Sequence, residues 1–287
     1  MANLTTIILT KNEEMNIKNC IQSVQNVSKR IIVIDSFSSD LTVEIAKSLG
    51  AEVYQNEFVN YGNQFQYALD NTNIKTQWVF RFDADERLTK ESSSEIEKLC
   101  FENRDTDING IIFKLEVNFL GRKLKHGGTY PFKKLCIFKT GHAFMETRSM
   151  DEQIVLLNGK AIEMKSISEH KDYRDLTYWI SKHNWYATRA AKDYLDFENE
   201  KIDYNNLDFS AKIRRFLKYK LYYKMPQGTR SLIYFIYRYI IKLGFLDGKE
   251  GYYYAFFQAY WYRVLVDAKI FEAKKNNTKI DEAGSLN

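Results

Sequence analysis

Strand and helix patterns alternate over the first third of the chain. Short runs rich in β-branched and aromatic residues occur at 4–9, 30–35, 52–54 and 78–82, and amphipathic helical patterns lie between them. Strands and helices that alternate at this spacing predict parallel pairing in an open, doubly wound α/β sheet. Ligands of such sheets bind in the crevice at the carboxyl ends of the strands. Polar residues at those ends are therefore the first candidates for a functional site.

The rest of the chain has a more mixed pattern. Strands are predicted at 110–120, 135–138 and 162–168, in a section that is more irregular and antiparallel, and one long amphipathic helix is predicted at 172–199. Two domains are predicted. The first is an α/β domain over 1–200, with halves at about 1–100 and 101–200, and the second is a basic, aromatic helical extension over 201–272. The polar residues 273–287 are predicted to form a disordered tail.

Two carboxylates follow the fourth strand pattern directly. Asp83 and Asp85 are one residue apart at the end of a buried run, which places both at the sheet edge. Oxygen ligands in this arrangement suit Mg²⁺ or Mn²⁺ and leave positions open for phosphate oxygens. With 17 Asp in 287 residues, about one Asp-x-Asp is expected by chance, so context decides. Asp105 and Asp107 form a second such pair, but no apolar strand precedes it, and we interpret it as part of a solvated loop.

Other polar side chains are predicted at the same edge. Asp35 ends the second strand pattern, where it can accept hydrogen bonds from a base or ribose, cap the following helix, or do both. Arg81 is unusual inside an apolar strand, where it can reach ligand phosphates or pair with a carboxylate. The remaining candidates at strand ends are Thr10, Asn12, Glu13 and Ser36.

Charge and cysteine content limit the class of protein. The net charge is +5, with 42 Lys and Arg against 37 Asp and Glu, and a basic cluster between Lys212 and Lys224 indicates an anionic partner for that region. Three scattered cysteines predict buried free thiols in a reducing compartment. The chain lacks glycine-rich dinucleotide and P-loop motifs. Its start lacks the apolar core of a secretory signal, so a cytoplasmic location is expected.

Three segments together carry a family resemblance. Thr10-Lys11-Asn12-Glu13-Glu14, Ile34-Asp35-Ser36-Phe37-Ser38-Ser39-Asp40 and Phe82-Asp83-Ala84-Asp85-Glu86 resemble the family 2 glycosyltransferases of the GT-A fold. The loop His126-Gly127-Gly128 and the segments Met150-Asp151-Glu152 and Gly244-Phe245-Leu246-Asp247-Gly248 look like bacterial enzymes that extend lipopolysaccharide core, capsule or exopolysaccharide glycans. The resemblance covers nearly the whole chain, to about Glu272.

The resemblance implies a role for each matching position. Asp35 would contact the base of a nucleotide sugar, and Asp83 and Asp85 would bind Mg²⁺ or Mn²⁺, with Asp85 the more direct ligand. His170 matches a histidine that completes the metal shell. The acceptor-activating base would come from Asp151 and Glu152, where the family has other acidic or histidine pairs, and Glu152 is favoured by position. His126, Gly127 and Gly128 would form an acceptor loop, although His126 can also be an ordinary loop histidine.

These roles predict an inverting transferase that moves a sugar from a UDP-linked donor to a glycan or polyprenyl-diphosphate-linked acceptor.

The carboxyl-terminal third has apolar segments at 231–243 and 252–266, both too short to span a bilayer. They predict either peripheral contact with the anionic cytoplasmic face of the inner membrane or packing on protein. Nucleic-acid binding is not expected, because it leaves the carboxylates of the crevice unexplained. A nucleotidyltransferase and a non-catalytic binding protein remain alternatives.

Overall fold

The computed structural model describes residues 2–146, 152–199, 222–278 and 280. These residues form two compact units. The first comprises 2–118, 130–146 and 152–173, and the second comprises 119–129, 174–199, 222–278 and 280. The second unit thus includes residues 174–199, which the predicted division near residue 200 assigned to the first domain. The predicted tail lies outside the described residues, apart from 273–278 and 280.

The first unit is built on a mixed sheet of the order β3-β2-β1-β4-β8-β6-β12-β5. The strands β1 to β4 are mutually parallel, whereas β8 runs antiparallel to both β4 and β6. Strands β11 and β12 pair with β6 in parallel. The elements of this unit are β1 (Leu4–Thr10), α1 (Glu14–Val24), β2 (Arg30–Asp35), α2 (Thr42–Ser48), β3 (Glu52–Gln55), α3 (Tyr61–Asn71), β4 (Trp78–Asp83), β5 (Glu86–Arg87), α4 (Lys90–Glu102), β6 (Ile108–Phe119), β8 (Phe132–Lys139), β9 (Ala143–Met145), β10 (Ile154–Leu156), β11 (Lys160–Glu163) and β12 (Ser168–His170).

The parallel part of the sheet confirms the alternation that the sequence predicts. β2 has the predicted bounds, and β1, β3 and β4 extend one residue further than predicted. The predicted antiparallel section is confirmed by the pairing of β6 with β8. The single strand predicted at 162–168 is wrong, because the structure has two strands there, β11 and β12, separated by residues 164–167. The Glu95 carboxylate accepts the backbone N–H groups of Lys165 and Ser166, both at 2.7 Å, so these two groups bond to a side chain and not to a strand.

The core of the first unit lies on both faces of the central strands. Ile7, Ile8 and Trp78 are fully buried, as runs of parallel strands covered by helices require. Phe80, Phe82 and Phe113 form an aromatic cluster with ring centroids 4.9–6.0 Å apart. The predicted free thiols are confirmed, since all three cysteines are buried and unbonded to each other.

The described part of the second unit is mainly helical and includes the short strand β7 (Arg122–Leu124). Its helix α5 (Leu176–Asn199) packs on α8 (Tyr262–Asn276) through Ala187, Ala190 and Ala191, whose small side chains allow close approach to Tyr262 and Val266. Between them lie α6 (Thr229–Ile236), a π-helical turn (Tyr237–Ile241), a 3₁₀ turn (Gly244–Asp247), α7 (Gly248–Ala255) and a second π-helical turn (Phe256–Trp261). The turn predicted at 244–251 is therefore shorter than expected. Among the described residues, no helix is both long and apolar enough to cross a membrane.

Candidate active site

The carboxyl ends of β1, β2 and β4 lie side by side. In the parallel register Thr10 is opposite Asp35, and Leu9 is opposite Asp83. Because the three strands are adjacent, the polar residues after each of them meet at one edge of the sheet. The structure therefore brings together the candidates that the sequence analysis placed at strand ends.

Asp35 organises the loops at this edge. It is fully buried, and its carboxylate accepts hydrogen bonds from Thr10 Oγ1 at 2.9 Å, from the Ser38 backbone N–H at 2.8 Å and from Ser38 Oγ at 2.5 Å. A carboxylate has about four acceptor positions, so about one is left for a ligand. Asp35 thus holds the loop after β2, and its contact with a base stays a prediction.

Two loops are tied together next to Asp35. Asn12, with a left-handed φ of 54°, donates its backbone N–H to Ser38 Oγ and accepts from the Ser39 N–H through Oδ1. Phe37, which was not among the predicted site residues, has a φ of 59° and a 54% exposed ring. A bulky residue in this conformation is rare and occurs where the surroundings hold it. The fixed loop therefore presents an aromatic face beside Asp35.

Glu13 and Ser36 form hydrogen bonds with neighbouring residues of the protein. The Glu13 carboxylate accepts from Asn16 Nδ2 at 2.8 Å, and its backbone N–H donates to Thr42 Oγ1. Ser36 is buried, and its hydroxyl accepts from Gln64 Nε2 at 3.0 Å. Both residues lie at the predicted edge, and their roles toward a ligand stay predictions.

The turn after β4 is fixed by its own neighbours. Arg87 donates to the carbonyls of Ala84 and Glu86 and to that of Asn16, at 2.5–2.8 Å. The buried Glu86 carboxylate accepts from the Asp83 N–H at 3.1 Å. The two carboxylates of the Asp-x-Asp motif are thus held in a rigid turn between β4 and β5.

Asp83 is paired with cations. Its Oδ2 accepts from Lys134 Nζ at 2.8 Å, and its Oδ1 lies 3.6 Å from the Arg81 guanidinium. Burial would raise the pKa of Asp83, but Lys134 and Arg81 outweigh it and lower the pKa to about 2. Lys134 also donates to Glu86 at 2.5 Å, while burial, helped by neighbouring carboxylates, raises the pKa of Glu86 to about 7. Lys134 is therefore held charged, and Asp83 is the carboxylate that stays ionised beside it.

Lys134 was not among the predicted site residues, although β8 carried a signal. β8 is a strand with buried residues, and its pairing with β6 places Lys134 opposite the buried ring of Phe113. A lysine on the inner face of a strand requires a carboxylate partner. Which carboxylate it meets depends on the pairing of β8 with β4, which no local pattern reveals.

Asp85 and His170 form a second pair. Asp85 is 7% exposed, and its Oδ2 lies 3.3 Å from His170 Nε2. The pairing of β12 with β5, in which His170 is opposite Glu86, and a bond of 2.8 Å from the Lys171 N–H to the Asp85 carbonyl position the histidine. Adjacent ligands of an octahedral cation with bonds of 2.0–2.1 Å are about 3 Å apart, so this spacing fits two ligands of one divalent ion.

The described residues contain no cluster of three or more His, Cys, Asp or Glu arranged to hold a metal. A cation on Asp85 and His170 would therefore need oxygens from a ligand or water to complete its shell.

The second Asp-x-Asp of the chain lies on the surface, as predicted. Asp105 and Asp107 are exposed, and they pair with Arg104 and Lys160 respectively.

The predicted base lies partly outside the described residues. Asp151 is outside them, whereas Glu152 is half-buried. Burial would lower the pKa of Arg81, but Asp83, Glu86 and also Glu152 outweigh it and raise the pKa. Glu152 is thus close enough to Arg81 for its charge to act there. Arg81 pairs with a carboxylate, one of its two predicted roles, and a contact with phosphate stays a prediction.

The His126 loop belongs to the second unit. Asp247, which is 4% exposed, accepts from His126 Nδ1 at 2.9 Å and from the backbone N–H groups of Lys125 and His126. Gly127 donates to the Lys242 carbonyl at 2.8 Å and accepts from Arg238 Nε at 2.7 Å. Gly127 and Gly128 both have positive φ, of 69° and 73°, which a side chain would strain. The loop is fixed to residues 238–247, and its role toward an acceptor stays a prediction.

Comparison with known proteins identifies the family. Residues 5–152 match the model of glycosyl transferase family 2, which is about half of the chain. An uncharacterized glycosyltransferase of Rickettsia typhi is 32% identical over 205 residues, 68% of this chain and 69% of the relative. The chain belongs to glycosyl transferase family 2. Membership, together with the parallel β3-β2-β1-β4 sheet, confirms the predicted α/β fold of GT-A type with a helical carboxyl-terminal region.

Two further similarities are more limited. The lipopolysaccharide core biosynthesis glycosyltransferase LpsC of Rhizobium meliloti is 33% identical over 92 residues, 30% of this chain and 33% of that protein. The crystal structure of glucosyl-3-phosphoglycerate synthase from Mycobacterium tuberculosis with Mn²⁺, UDP and glucosyl-3-phosphoglycerate matches with a TM-score of 0.33 and 20% identity. That match covers 40% of this chain and 44% of that one.

Proposed function

We propose that this family 2 glycosyltransferase is an inverting, metal-dependent enzyme that transfers a sugar from a UDP-linked donor to a glycan on a polyprenyl-diphosphate carrier. The observation that supports the donor site is the Asp85–His170 pair, 3.3 Å apart at the sheet edge that also holds Asp35. The family favours a sugar transferase over the nucleotidyltransferase and the non-catalytic protein that the sequence left open.

Asp85 and His170 are the residues that would hold Mg²⁺ or Mn²⁺. When bound, the ion would neutralise the charge of the leaving diphosphate. Lys134 and Arg81 add positive charge beside the site. Both are held in place there by their contacts with Asp83. The loop that Asp35 holds would receive the base, and the exposed ring of Phe37 is available to stack on it.

Glu152 would accept the proton of the attacking hydroxyl. A base on the face opposite the leaving diphosphate leads to in-line attack, which inverts the anomeric carbon, so an α-linked donor gives a β-glycoside. Asp151 is the other candidate for this role. UDP release from UDP-sugars with water as acceptor distinguishes them. Glu152→Gln should lower turnover at least a hundredfold without changing UDP binding. Asp151→Asn should not lower turnover to this extent.

Calorimetric titration tests the donor site. UDP, GDP and CMP are titrated into the protein with and without Mn²⁺, and we expect UDP alone to bind and only with the metal. Asp85→Ala should abolish binding. Asp107→Ala, in the second Asp-x-Asp, is the matched control and should bind like the wild type. If no nucleotide binds under any condition while the protein is folded by circular dichroism, the proposed function is wrong.

A further inference from the structure

The second unit has an outer face that is apolar where a soluble helix is usually polar. Between residues 232 and 253, eleven large apolar side chains are 42–65% exposed, whereas the others exposed in the described chain are scattered. On α6 and the π-helical turn they recur every four residues, as in Ile233, Tyr237 and Ile241 or in Leu232, Ile236 and Ile240. This repeat places them on one side of the helix.

The first turn of α6 is anchored by a buried ion pair. Arg230 is 3% exposed and pairs with the buried Asp267 of α8, with Nε 3.0 Å from Oδ2. Arg230 also lies over the rings of Tyr222 and Tyr223. The helix is therefore fixed at its start, and its isoleucines remain outward. An exposed apolar patch of this extent marks an interaction surface.

The surface continues past α6 and then stops. Leu243, the 3₁₀-turn residues Phe245 and Leu246, and Tyr252 and Tyr253 of α7 are also 42–49% exposed. From Ala255 onward the segment packs inward, because Ala255, Ala259, Tyr262 and Val266 are buried. Of the two apolar segments that the sequence predicts, the exposed surface therefore contains the first, the turn after it and the first two residues of the second.

The charges around this surface are positive. Lys242 and Lys249 are exposed, and the carboxylates within 229–253 are Asp247, which is buried against His126, and Glu250, which lies 3.7 Å from Arg122. In a symmetric dimer the same patch would meet itself and bring the lysines of both copies together. An anionic lipid surface complements both the lysines and the isoleucines.

We propose that the apolar surface of residues 232–253 is the face on which this protein binds an anionic phospholipid bilayer, lying in the interface without crossing it. The tyrosines suit the headgroup level, where amphipathic rings are enriched. The inference deepens the proposed function and rests on it for its purpose, since a polyprenyl-linked acceptor is presented at such a bilayer.

Vesicle co-sedimentation of the full chain tests the proposal. We expect binding to vesicles of phosphatidylcholine mixed with phosphatidylglycerol and weaker binding to phosphatidylcholine alone. Ile236→Ser with Ile240→Ser should weaken binding at least tenfold, because two half-exposed isoleucines no longer enter the lipid. Lys242→Gln and Lys249→Gln should each weaken binding about fivefold, and only to the anionic vesicles.

The control is Phe271→Ser with Phe101→Ser, which removes two side chains that are 58% and 66% exposed outside the surface and should leave binding unchanged. Equal vesicle binding by the isoleucine variant and the wild type would refute the proposal. So would a wild type that ignores both vesicles, or one that forms a dimer the isoleucine variant cannot form. UDP titration of the same samples separates the two proposals, because donor binding does not require this surface.

Discussion

Protonation of one buried histidine should control the acid stability of the second unit. His183 is 9% exposed on α5, stacked on Trp179 with ring centroids 3.5 Å apart. Its Nδ1 donates to the Trp179 carbonyl at 2.8 Å, and its Nε2 accepts from the Gln258 amide at 2.7 Å. One donating and one accepting nitrogen describe a neutral imidazole. Burial, with the nearby Lys182, lowers the pKa of His183 to about 4, although the bond to the Trp179 carbonyl opposes the shift.

The cost of acid follows from this pKa. In the unfolded chain the group titrates near 6.5, so below that pH the unfolded state binds a proton that the folded state does not. Each tenfold difference in proton affinity is worth about 1.4 kcal/mol, so the loss of stability reaches about 3 kcal/mol below pH 4. At pH 5 the loss is about 2 kcal/mol, and above pH 7 it vanishes.

Urea unfolding at several pH values between 7.5 and 4.5 measures this loss. His183→Phe keeps the ring stack but cannot take up a proton, so the loss of stability due to His183 should disappear. The variant should therefore lose about 2 kcal/mol less stability than the wild type between pH 7.5 and pH 5. The chain has four histidines, so comparison of spectra with the variant assigns the His183 signals and gives its pKa by NMR. Parallel stability curves for the two proteins, or a measured pKa near 6.5, would refute the reasoning.

Two further predictions concern buried ion pairs. Lys134→Met should destabilise the first unit by about 3–5 kcal/mol and weaken UDP binding, because Asp83 and Glu86 lose their shared cation. Lys133→Met, which removes the half-exposed neighbour paired with Glu163, should cost less than about 1 kcal/mol in the same denaturation assay. In the second unit, Arg230→Met should cost about 3–5 kcal/mol by thermal unfolding, and adding Asp267→Leu should restore most of it; a double variant as unstable as the single one would contradict this account.

Local patterns predicted the strands that are buried on both faces. A strand buried on both faces, such as β2, is a continuous run of β-branched residues followed by polar ones, and this change of composition marks its bounds. The bounds of α5 were less predictable. The helix begins at Leu176 and not at residue 172, because Asp172 accepts from Asn16 Nδ2 and the Tyr173 N–H donates to Asn16 Oδ1. Asn16 is 156 residues away in sequence, and no helical period reveals such a contact.

The positions of the candidate residues at the ends of parallel strands were predictable for the same reason. Polar residues at the carboxyl ends of adjacent parallel strands must meet, so Thr10, Asp35 and Asp83 lie at one edge. What the sequence does not reveal is which of these groups neutralise each other. The pairing of Lys134 with Asp83 requires β8 to lie next to β4, which depends on the order of the whole sheet.

That pairing distinguishes two carboxylates that are equivalent in the sequence motif. A cation that approached Asp83 would meet the Lys134 ammonium 2.8 Å from Oδ2 and the Arg81 guanidinium 3.6 Å from Oδ1. Asp85 has a histidine nitrogen beside it instead, and a neutral imidazole is itself a metal ligand. Electrostatic repulsion would therefore oppose a metal on Asp83 more than one on Asp85, and we infer Asp85 as the ligand. In this interpretation Asp83 holds Lys134 and Arg81 in place, so Asp83→Asn should weaken UDP binding less than Asp85→Asn does.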